Sequence, residues 1–172
     1  GKYYLKSTAD KKVWPLTLSG TTLTWGTAID ISAAFAGLTS TVDMTTDGTD
    51  LWFLDTAGVL KKYDLSAGTM GSALAVPSLT GFYTSSVGPW RFEASSGYLW
   101  LAGYDSISTA SSKLKKLQKY NIGSNTWSTV TMPERMLNAT MDNSQFYFDP
   151  YETYFYFMRA ETASKASLFK FT

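Results

Sequence analysis

The sequence predicts an all-β chain, and three observations lead to this fold class. The ordered-looking segments are about five residues long, and they alternate aromatic or β-branched side chains with polar ones, as half-buried strands do. Turn-forming residues such as Asp47-Gly48 separate these segments. One strand-turn-strand pattern also recurs along the 172 residues, which indicates an internal structural repeat.

The individual strands follow from this alternation. The segments that show it most clearly are Lys2–Lys6, Asp50–Asp55, Tyr98–Ala102 and Tyr154–Met158. The only helix-like window is Ile31–Leu38, which is too short to form a stable helix alone. We expect this window to form one or two turns inside a loop.

A hairpin with a shared pattern occurs in each repeat. An aromatic residue or Leu is followed by a polar residue, an aliphatic residue, a short turn and another large apolar residue. The first position recurs at intervals of 47, 57 and 49 residues, a spacing in the range of propeller blades. In register, these positions are Leu16, Tyr63, Tyr120 and Phe169, and the aliphatic positions are Leu18, Leu65, Ile122 and Phe171. The residues predicted to close the first three hairpins are Leu23, Met70 and Trp127.

A second hairpin precedes the shared one in the later repeats. The expected pairings are Ser40–Met44 with Leu51–Leu54 across Thr45–Asp50, Trp90–Ala94 with Tyr98–Leu101, and Gln145–Phe148 with Tyr154–Met158. Each repeat is therefore predicted to contain four antiparallel strands. The predicted repeats span about residues 1–38, 39–80, 88–134 and 135–172.

Residues 116–135 resemble a Kelch-type repeat. Asn125-Thr126-Trp127, then Met132-Pro133 and then Arg135 follow that family's order of turn, Trp, Met-Pro and Arg. Tyr120-Asn121 stands where the family has a Tyr-Asp pair. The resemblance implies a β-propeller, and the four-strand repeat favours the same architecture independently.

The other repeats match the Kelch pattern less completely. The second repeat keeps the pair Tyr63-Asp64 but has no Trp after its turn, and Ala102-Gly103 stands where the family has Gly-Gly. The strand count leaves the first repeat without an opening strand and the last repeat without a fourth strand. The chain also begins with Gly1 rather than Met. These features predict about four blades of an incomplete propeller, forming one segment over residues 1–172 of a longer chain.

The composition excludes several kinds of chemistry. Lys and Arg number 15 and Asp and Glu number 14, so a net charge of +1 predicts no nucleic-acid partner. There is no Cys and no His, which excludes disulfides, Cys nucleophiles and His-based triads from this segment. No apolar run approaches the roughly 20 residues of a membrane span, so we expect no membrane insertion. No cofactor and no metal are expected.

Several carboxylates are candidates for a site. Asp43, Asp47 and Asp50 surround an Asp-Gly turn, but their spacing does not match a calcium loop, and we expect solvated turn residues there. A glycosidase would need a pair of acids separated by roughly 5 to 10 Å, a distance that sequence does not give. The acids available for such a pair are Glu134, Asp149, Glu152 and Glu161.

The basic residues allow a functional and a structural interpretation. Arg91, Arg135 and Arg159 fall in successive repeats, as the arginine triad of a sialidase-like propeller would, but no sialidase Asp-box motif is present. Packing on aromatic rings and pairing with acids at blade edges is the favoured interpretation. The run Lys113–Lys119 is expected to guard a strand edge against aggregation rather than to bind phosphate.

The aromatic residues, 16% of the chain, have the widest range of interpretations. Trp52, Trp100 and Phe155 are predicted to be equivalent second-strand residues that pack between blades. A sugar-stacking surface could instead use Trp14, Trp25, Trp90 or the cluster from Tyr147 to Tyr156. Asn138-Ala139-Thr140 is a glycosylation sequon.

These features predict a non-enzymatic structural or interaction module that binds protein partners within a large assembly. Ser and Thr make up a quarter of the residues and charge is low, which favours a virion component such as a phage tail, fibre or decoration protein, or another extracellular surface protein. The alternatives are a carbohydrate-binding lectin-like propeller and a sialidase-like glycoside hydrolase. No residue is assigned to catalysis, cofactor binding or metal binding, and the ligand-binding residues are not predicted.

Overall fold

The computed structural model describes residues 2–7, 9–32, 43–54, 59–75, 91–95, 97–104, 114–132, 144–148, 155–162 and 165–171. Within these ranges the chain forms sixteen strands and no helix. The strands form four antiparallel sheets, each made of strands that follow one another along the chain. The predicted all-β class is confirmed, and the described strands do not close into a barrel.

The first sheet contains four strands: β1 (Lys2–Ser7), β2 (Lys12–Ser19), β3 (Thr22–Trp25) and β4 (Ile29–Asp30). β2 lies in the centre, because β1 pairs with one edge of it and β3 and β4 pair with the other. Between β3 and β4 the chain leaves the ladder for three residues, and the amide of Gly26 donates to the carbonyl of Pro15 at 2.7 Å. β3 and β4 therefore act as one interrupted strand.

The second sheet contains five strands: β5 (Asp43–Thr46), β6 (Asp50–Leu54), β7 (Val59–Asp64), β8 (Thr69–Met70) and β9 (Leu74–Ala75). β8 and β9 again pair with one neighbour, β7, and the amide of Gly71 bridges them by donating to the carbonyl of Lys62 at 2.7 Å. If β8 and β9 are counted as one interrupted strand, this sheet has the four-strand order that the repeat predicts. The first turn is shorter than predicted, because Thr45, Thr46 and Asp50 lie in the strands.

The third sheet has the order β10 (Arg91–Ser95), β11 (Tyr98–Tyr104), β12 (Leu114–Asn121) and β13 (Thr126–Thr129). The fourth sheet contains β14 (Ser144–Phe148), β15 (Phe155–Thr162) and β16 (Lys165–Phe171) in that order. The pairings β10 with β11 and β14 with β15 are the ones that the turn residues predict. Of the helix-like window, only Ile31 and Ser32 are described, and Ile31 is buried beside β2.

Strand pairing confirms the predicted repeat positions. Leu16, Tyr63 and Tyr120 lie opposite Tyr3, Leu51 and Leu99 of the preceding strands, and Phe169 lies opposite Phe157. Positions with the same cross-strand register in different sheets are called equivalent below.

Two of the predicted equivalences are wrong. Trp25 pairs with Leu16 in the first sheet, just as Met70 pairs with Tyr63 in the second, so Trp25 rather than Leu23 is the residue equivalent to Met70. The shift arises because the turn between β2 and β3 has two residues and the turn between β7 and β8 has four. In the fourth sheet, the residue equivalent to Trp52 is Met158 rather than Phe155.

The first three sheets pack face to face in chain order. One face of β6 carries Leu51 and Phe53, which cluster with Val13 and Ile31 of the first sheet's segment. The opposite face carries Trp52 and Leu54, which cluster with residues of the third sheet. The second sheet therefore lies between the other two, because alternate residues of a strand point to opposite faces.

The first strands of the last three sheets are also neighbours. β5 contacts β10, and β10 contacts β14. The amide of Ala94 in β10 donates a hydrogen bond to the Thr45 hydroxyl in β5 at 3.0 Å, which ties the second and third sheets together at this edge. Face packing thus joins the first sheet to the second and the second to the third, and contact between first strands joins the second to the third and the third to the fourth.

Candidate functional site

The described residues form a cleft of about 680 Å³ between the first and second sheets. We call it the inter-sheet cleft. Its first wall comes from β1, β2 and Ile29, and its second wall comes from the turn between β5 and β6 together with the end of β7. The residues that give it chemical character are Lys2, Tyr4, Asp50, Lys62, Tyr63 and Asp64.

The turn beside this cleft is organised by Asp47. One carboxylate oxygen accepts hydrogen bonds from the amides of Thr49 and Asp50 and from the Thr49 hydroxyl, at 2.8 to 2.9 Å. The other oxygen accepts from Nε1 of Trp52 at 2.8 Å. Gly48 supplies the positive φ of 93° that the turn requires. The expectation of a solvated turn residue is therefore wrong for Asp47.

These hydrogen bonds determine how Asp47 titrates. Burial by itself would raise the pKa of the Asp47 carboxyl, but the donors from Trp52, Asp50 and Thr49 outweigh it and lower the pKa below its usual value. Asp47 therefore stays charged near neutral pH. Its role is to hold the turn and the buried indole in one arrangement.

Asp50 is engaged in an ion pair at the start of β6. Its side chain lies 3.1 Å from the Lys62 ammonium, with 12% of the Asp50 side chain exposed and 41% of the Lys62 side chain exposed. The hydrogen bond to Asp50 raises the pKa of Lys62, against the opposing effect of burial. The same ammonium lies 5.9 Å from the Trp52 ring centroid. This cation is held between a carboxylate and an aromatic ring.

Asp64 lies at the start of the turn between β7 and β8. Its Oδ1 atom accepts from the amides of Ser66 and Ala67 and from the Ser66 hydroxyl, all at 2.7 to 2.8 Å. The amide of Ala67, followed by the two Ser66 donors, lowers the pKa of the Asp64 carboxyl. The equivalent residue in the third sheet, Asn121, uses its Oδ1 atom in the same way to accept from the amide of Ser124. The Tyr-Asp and Tyr-Asn pairs thus have a common role in the turn.

The segment that resembles a Kelch repeat forms part of the core. Tyr120 is buried, and its ring packs edge-on against Trp52, with ring centroids 6.0 Å apart, and at a tilt against Trp127, with centroids 5.0 Å apart. Its hydroxyl donates to Oδ1 of Asn125 at 2.8 Å, and burial raises the pKa of that hydroxyl. Trp52 therefore packs between sheets as the sequence predicts.

The carboxylates in and beside the cleft have partners within the chain. Asp50 is paired with Lys62, and Asp47 and Asp64 each accept several hydrogen bonds from their own turns. Among the residues that the structure describes, there is also no group of three acidic residues that could hold a metal ion.

Lys119, the last residue of the basic run Lys113–Lys119, lies over aromatic rings in the third sheet. The Lys119 ammonium lies 4.8 Å from the ring centroid of Tyr98 and 5.6 Å from that of Trp100. β12 pairs with β13 from Gln118 onward, so Lys119 is not on a strand edge and the predicted guarding role is wrong for this residue. Lys119 is equivalent to Lys62, which also lies over an indole ring.

Of the candidate arginines and glutamates, the structure places three in strands. Arg91 lies in β10, Arg159 in β15 and Glu161 in β15. Several candidates lie outside the described residues: Trp90, Lys113, Glu134, Arg135, Asn138, Asp149 and Glu152. Tyr147 and Tyr156 are paired across β14 and β15.

A second surface, which the sequence analysis did not single out, covers the outer face of the first sheet. Its exposed members are Tyr3 (53% exposed), Leu5 (48%), Leu18 (36%), Leu23 (50%) and Trp25 (57%). Cross-strand pairing places them side by side, since Leu16 lies between Tyr3 and Trp25, and Leu18 lies opposite Leu23. We call this surface the first-sheet apolar face. The alternation in the sequence identifies its residues, but it does not tell whether another sheet covers them.

Compared with known proteins, the chain matches no protein-family model, and no curated protein sequence is similar to it above the threshold for a match. Within the described part of the chain, no helix has the length and apolar character to cross a membrane. The evidence for function is therefore the geometry of the two surfaces.

Proposed function

We propose that the chain is a β-propeller-type array of four-stranded blades that acts as a non-enzymatic interaction module within a large assembly. The observation that carries this proposal is the first-sheet apolar face, on which five large apolar side chains are between 36% and 57% exposed. Contiguous exposed apolar patches are typical of protein interaction sites. The two carboxylates of the cleft, Asp50 and Asp64, are by contrast engaged in contacts within the chain, as is Asp47 in the adjacent turn.

The packing of the sheets supports the propeller interpretation. Each sheet is a meander of neighbouring strands, the first three sheets stack in chain order, and the first strands β5, β10 and β14 contact one another in succession. Radial repetition of four-stranded sheets has these properties. The interrupted last strand, bridged by Gly26 in the first sheet and Gly71 in the second, indicates that both sheets follow one structural plan.

The composition supports the cellular setting of the proposal. Ser and Thr make up a quarter of the residues, charged residues only 17%, and Cys is absent. A surface of this kind suits a virion component, such as a tail, fibre or decoration protein, or another extracellular surface protein.

Photocrosslinking tests the interaction module. A photoreactive side chain at Trp25 should give a covalent adduct with one defined protein in native particles or complexes. The same group at Ser128, an exposed residue of β13, is the matched control and should give no such adduct. Recovery of the chain from its native source as a free monomer, with no adduct from Trp25, would contradict the proposal.

The inter-sheet cleft favours a second candidate function, glycan binding. Tyr4 and Tyr63 are half-buried in its walls, next to the polar groups of Lys2, Thr49 and Asp64. Aromatic rings beside hydrogen-bonding groups are suited to the apolar faces and hydroxyls of a sugar. Titration with oligosaccharides, followed by NMR, should then show saturable shifts that Tyr4→Ala abolishes. Tyr3→Ala, which changes the other face of the same strand, should leave them unchanged, and the absence of any shift at millimolar sugar would exclude this candidate.

A further inference from the structure

We propose that the first-sheet apolar face binds the fourth sheet of a second copy of this chain, so that copies associate head to tail. This inference rests on the proposed role as an interaction module and names the partner. It follows from what covers the equivalent faces within the chain itself.

The first-sheet apolar face has buried equivalents in the next two sheets. Tyr3 is equivalent to Leu51 and Leu99, and Leu5 is equivalent to Phe53 and Leu101, as the cross-strand pairings show. All four of those residues in the second and third sheets are fully buried at 0% exposure, whereas Tyr3 and Leu5 are about half exposed at 53% and 48%. The same face of the repeat is therefore covered in the second and third sheets and exposed in the first.

In both covered cases the covering surface is of one kind. Leu51 and Phe53 pack in one cluster with Val13 and half-buried Tyr4 of the first sheet. Leu99 and Leu101 pack in one cluster with Trp52 of the second sheet. Tyr4 and Trp52 are equivalent residues. The face that carries the Trp52 position thus covers the face that carries the Leu51 position on the next sheet.

The fourth sheet supplies a covering face of this kind. Met158 occupies the Trp52 position, and Leu168, which pairs with it, occupies the position of Lys62 and Lys119. Leu168 is 67% exposed, the highest value among the exposed large apolar residues. The second and third sheets have a lysine at this position, so a leucine here replaces a charged residue with an apolar one on the face that would contact the next sheet.

A second copy is therefore the partner whose surface is already present in the structure. The two contacting surfaces are different, which makes the interface heterologous. Heterologous interfaces produce rings where the rotation between copies closes and open filaments where it does not. This is also the association expected of a module that builds a larger assembly.

Complementary variants of the 172-residue chain test the proposal by sedimentation velocity and light scattering. Leu5→Glu places a negative charge on the first-sheet apolar face, and Leu168→Glu places one on the fourth sheet, at a position where the packed second and third sheets have a lysine. Both positions are exposed, so both variants should fold, which circular dichroism will verify. Each variant alone should be monomeric, with self-association weakened more than about a hundredfold, because an unpaired charge would be desolvated in the interface. Ser128→Glu is the control and should associate like the unmodified chain.

Mixing the two variants gives the decisive measurement. The Leu5→Glu copy keeps an intact fourth sheet and the Leu168→Glu copy keeps an intact first-sheet apolar face, so the mixture should form a one-to-one complex that does not grow further. An unmodified chain that stays monomeric, as it would if the face binds another part of a longer polypeptide, overturns the proposal. A dimer that survives Leu168→Glu and not Leu5→Glu also overturns it, because two first-sheet apolar faces would then pair with each other. In both of these cases an adduct from Trp25 with a different protein would leave the interaction module standing.

Discussion

The strands β1 and β6 are equivalent in the repeat and have opposite environments, and β1 is the edge strand of its sheet whereas β6 lies between β5 and β7. Every residue of β6 is buried, whereas Tyr3 and Leu5 of β1 are half exposed. β1 pairs with β2 and β6 pairs with β7, and both β1 and β6 carry large apolar residues on the face that holds Tyr3 and Leu5 in β1 and Leu51 and Phe53 in β6. The difference between them comes from the neighbouring sheets, since the first sheet lies on one side of β6 and the third sheet on the other. Burial in this repeat is thus set by which sheets are stacked on a strand as much as by its own sequence.

The largest expected effect is a loss of stability from truncating a buried side chain in β6, which the equivalent truncation in β1 should not cause. Phe53→Ala should lower the free energy of unfolding by about 3–5 kcal/mol, because it removes a fully buried ring and leaves a cavity between two sheets. The equivalent substitution in the first sheet, Leu5→Ala, should change it by less than about 1 kcal/mol in the monomer. Urea denaturation of both variants measures the difference, and similar losses at the two positions would mean that β1 is covered in solution.

The indole of Trp52 offers a second comparison between the same sheets. Trp52→Phe should cost about 1–3 kcal/mol, since it leaves a part-buried Asp47 oxygen without its donor. Trp25→Phe is the matched control on the first-sheet apolar face, where the indole is 57% exposed, and should cost less than about 0.5 kcal/mol. A double-mutant cycle of Trp52→Phe with Asp47→Ala isolates the hydrogen bond, and additive losses would show that the two side chains do not interact.

The Asp47 turn also predicts a pH dependence. Its folded-state pKa lies below the reference value of 3.8, so the charged carboxylate stabilises the fold above that pH, and this stabilisation is lost as pH falls through the folded-state pKa. Asp47→Asn removes the titrating group and turns an acceptor towards Trp52 into a donor. The difference in unfolding free energy between the unmodified chain and Asp47→Asn should be constant from pH 6 to 8 and should shrink below about pH 4. A difference that does not change with pH would contradict the assigned role.

The residues show where prediction from sequence succeeds and where it stops. Alternation, turn residues and the spacing of Leu16, Tyr63 and Tyr120 predict the class, the hairpins and the repeat register, because these are local properties of the chain. The equivalence of Trp25 was missed because turn length changes the pairing by two residues. The hydrogen bonds of Asp47 were missed because they depend on how the turn orients one carboxylate towards an indole five residues later.

The inter-sheet cleft and the first-sheet apolar face mark a different limit. Both depend on how one sheet is placed against another, and no local pattern in β1 reports the distance to a neighbouring sheet. The same apolar alternation that predicts a buried strand at Leu51 and Phe53 also occurs at Tyr3 and Leu5. The exposure of Tyr3 and Leu5 is a property of how the sheets are arranged in three dimensions.

The smallest expected effect extends the comparison to the turns of the second and third sheets. Both turns have a residue of positive φ at the same place, Gly68 at 68° and Asn125 at 56°. Asn125 accepts from the Tyr120 hydroxyl, whereas a Cβ atom added at Gly68 would lie 3.7 Å from the hydroxyl of Tyr63. Tyr120→Phe should therefore cost about 0.5–1.5 kcal/mol, and Tyr63→Phe less.

Gly68→Asn completes this last test. Asn tolerates positive φ better than most residues do, and its amide would lie near the Tyr63 hydroxyl, so the variant should be as stable as the unmodified chain or slightly more stable. Gly68→Ala is the control, since it adds a Cβ atom at positive φ without a hydrogen-bonding group, and should lose about 1 kcal/mol. If Tyr63→Phe then becomes more costly in the Gly68→Asn background than in the unmodified chain, the turn of the third sheet has been reproduced in the second. If the cost is unchanged, the two turns differ in more than this one side chain.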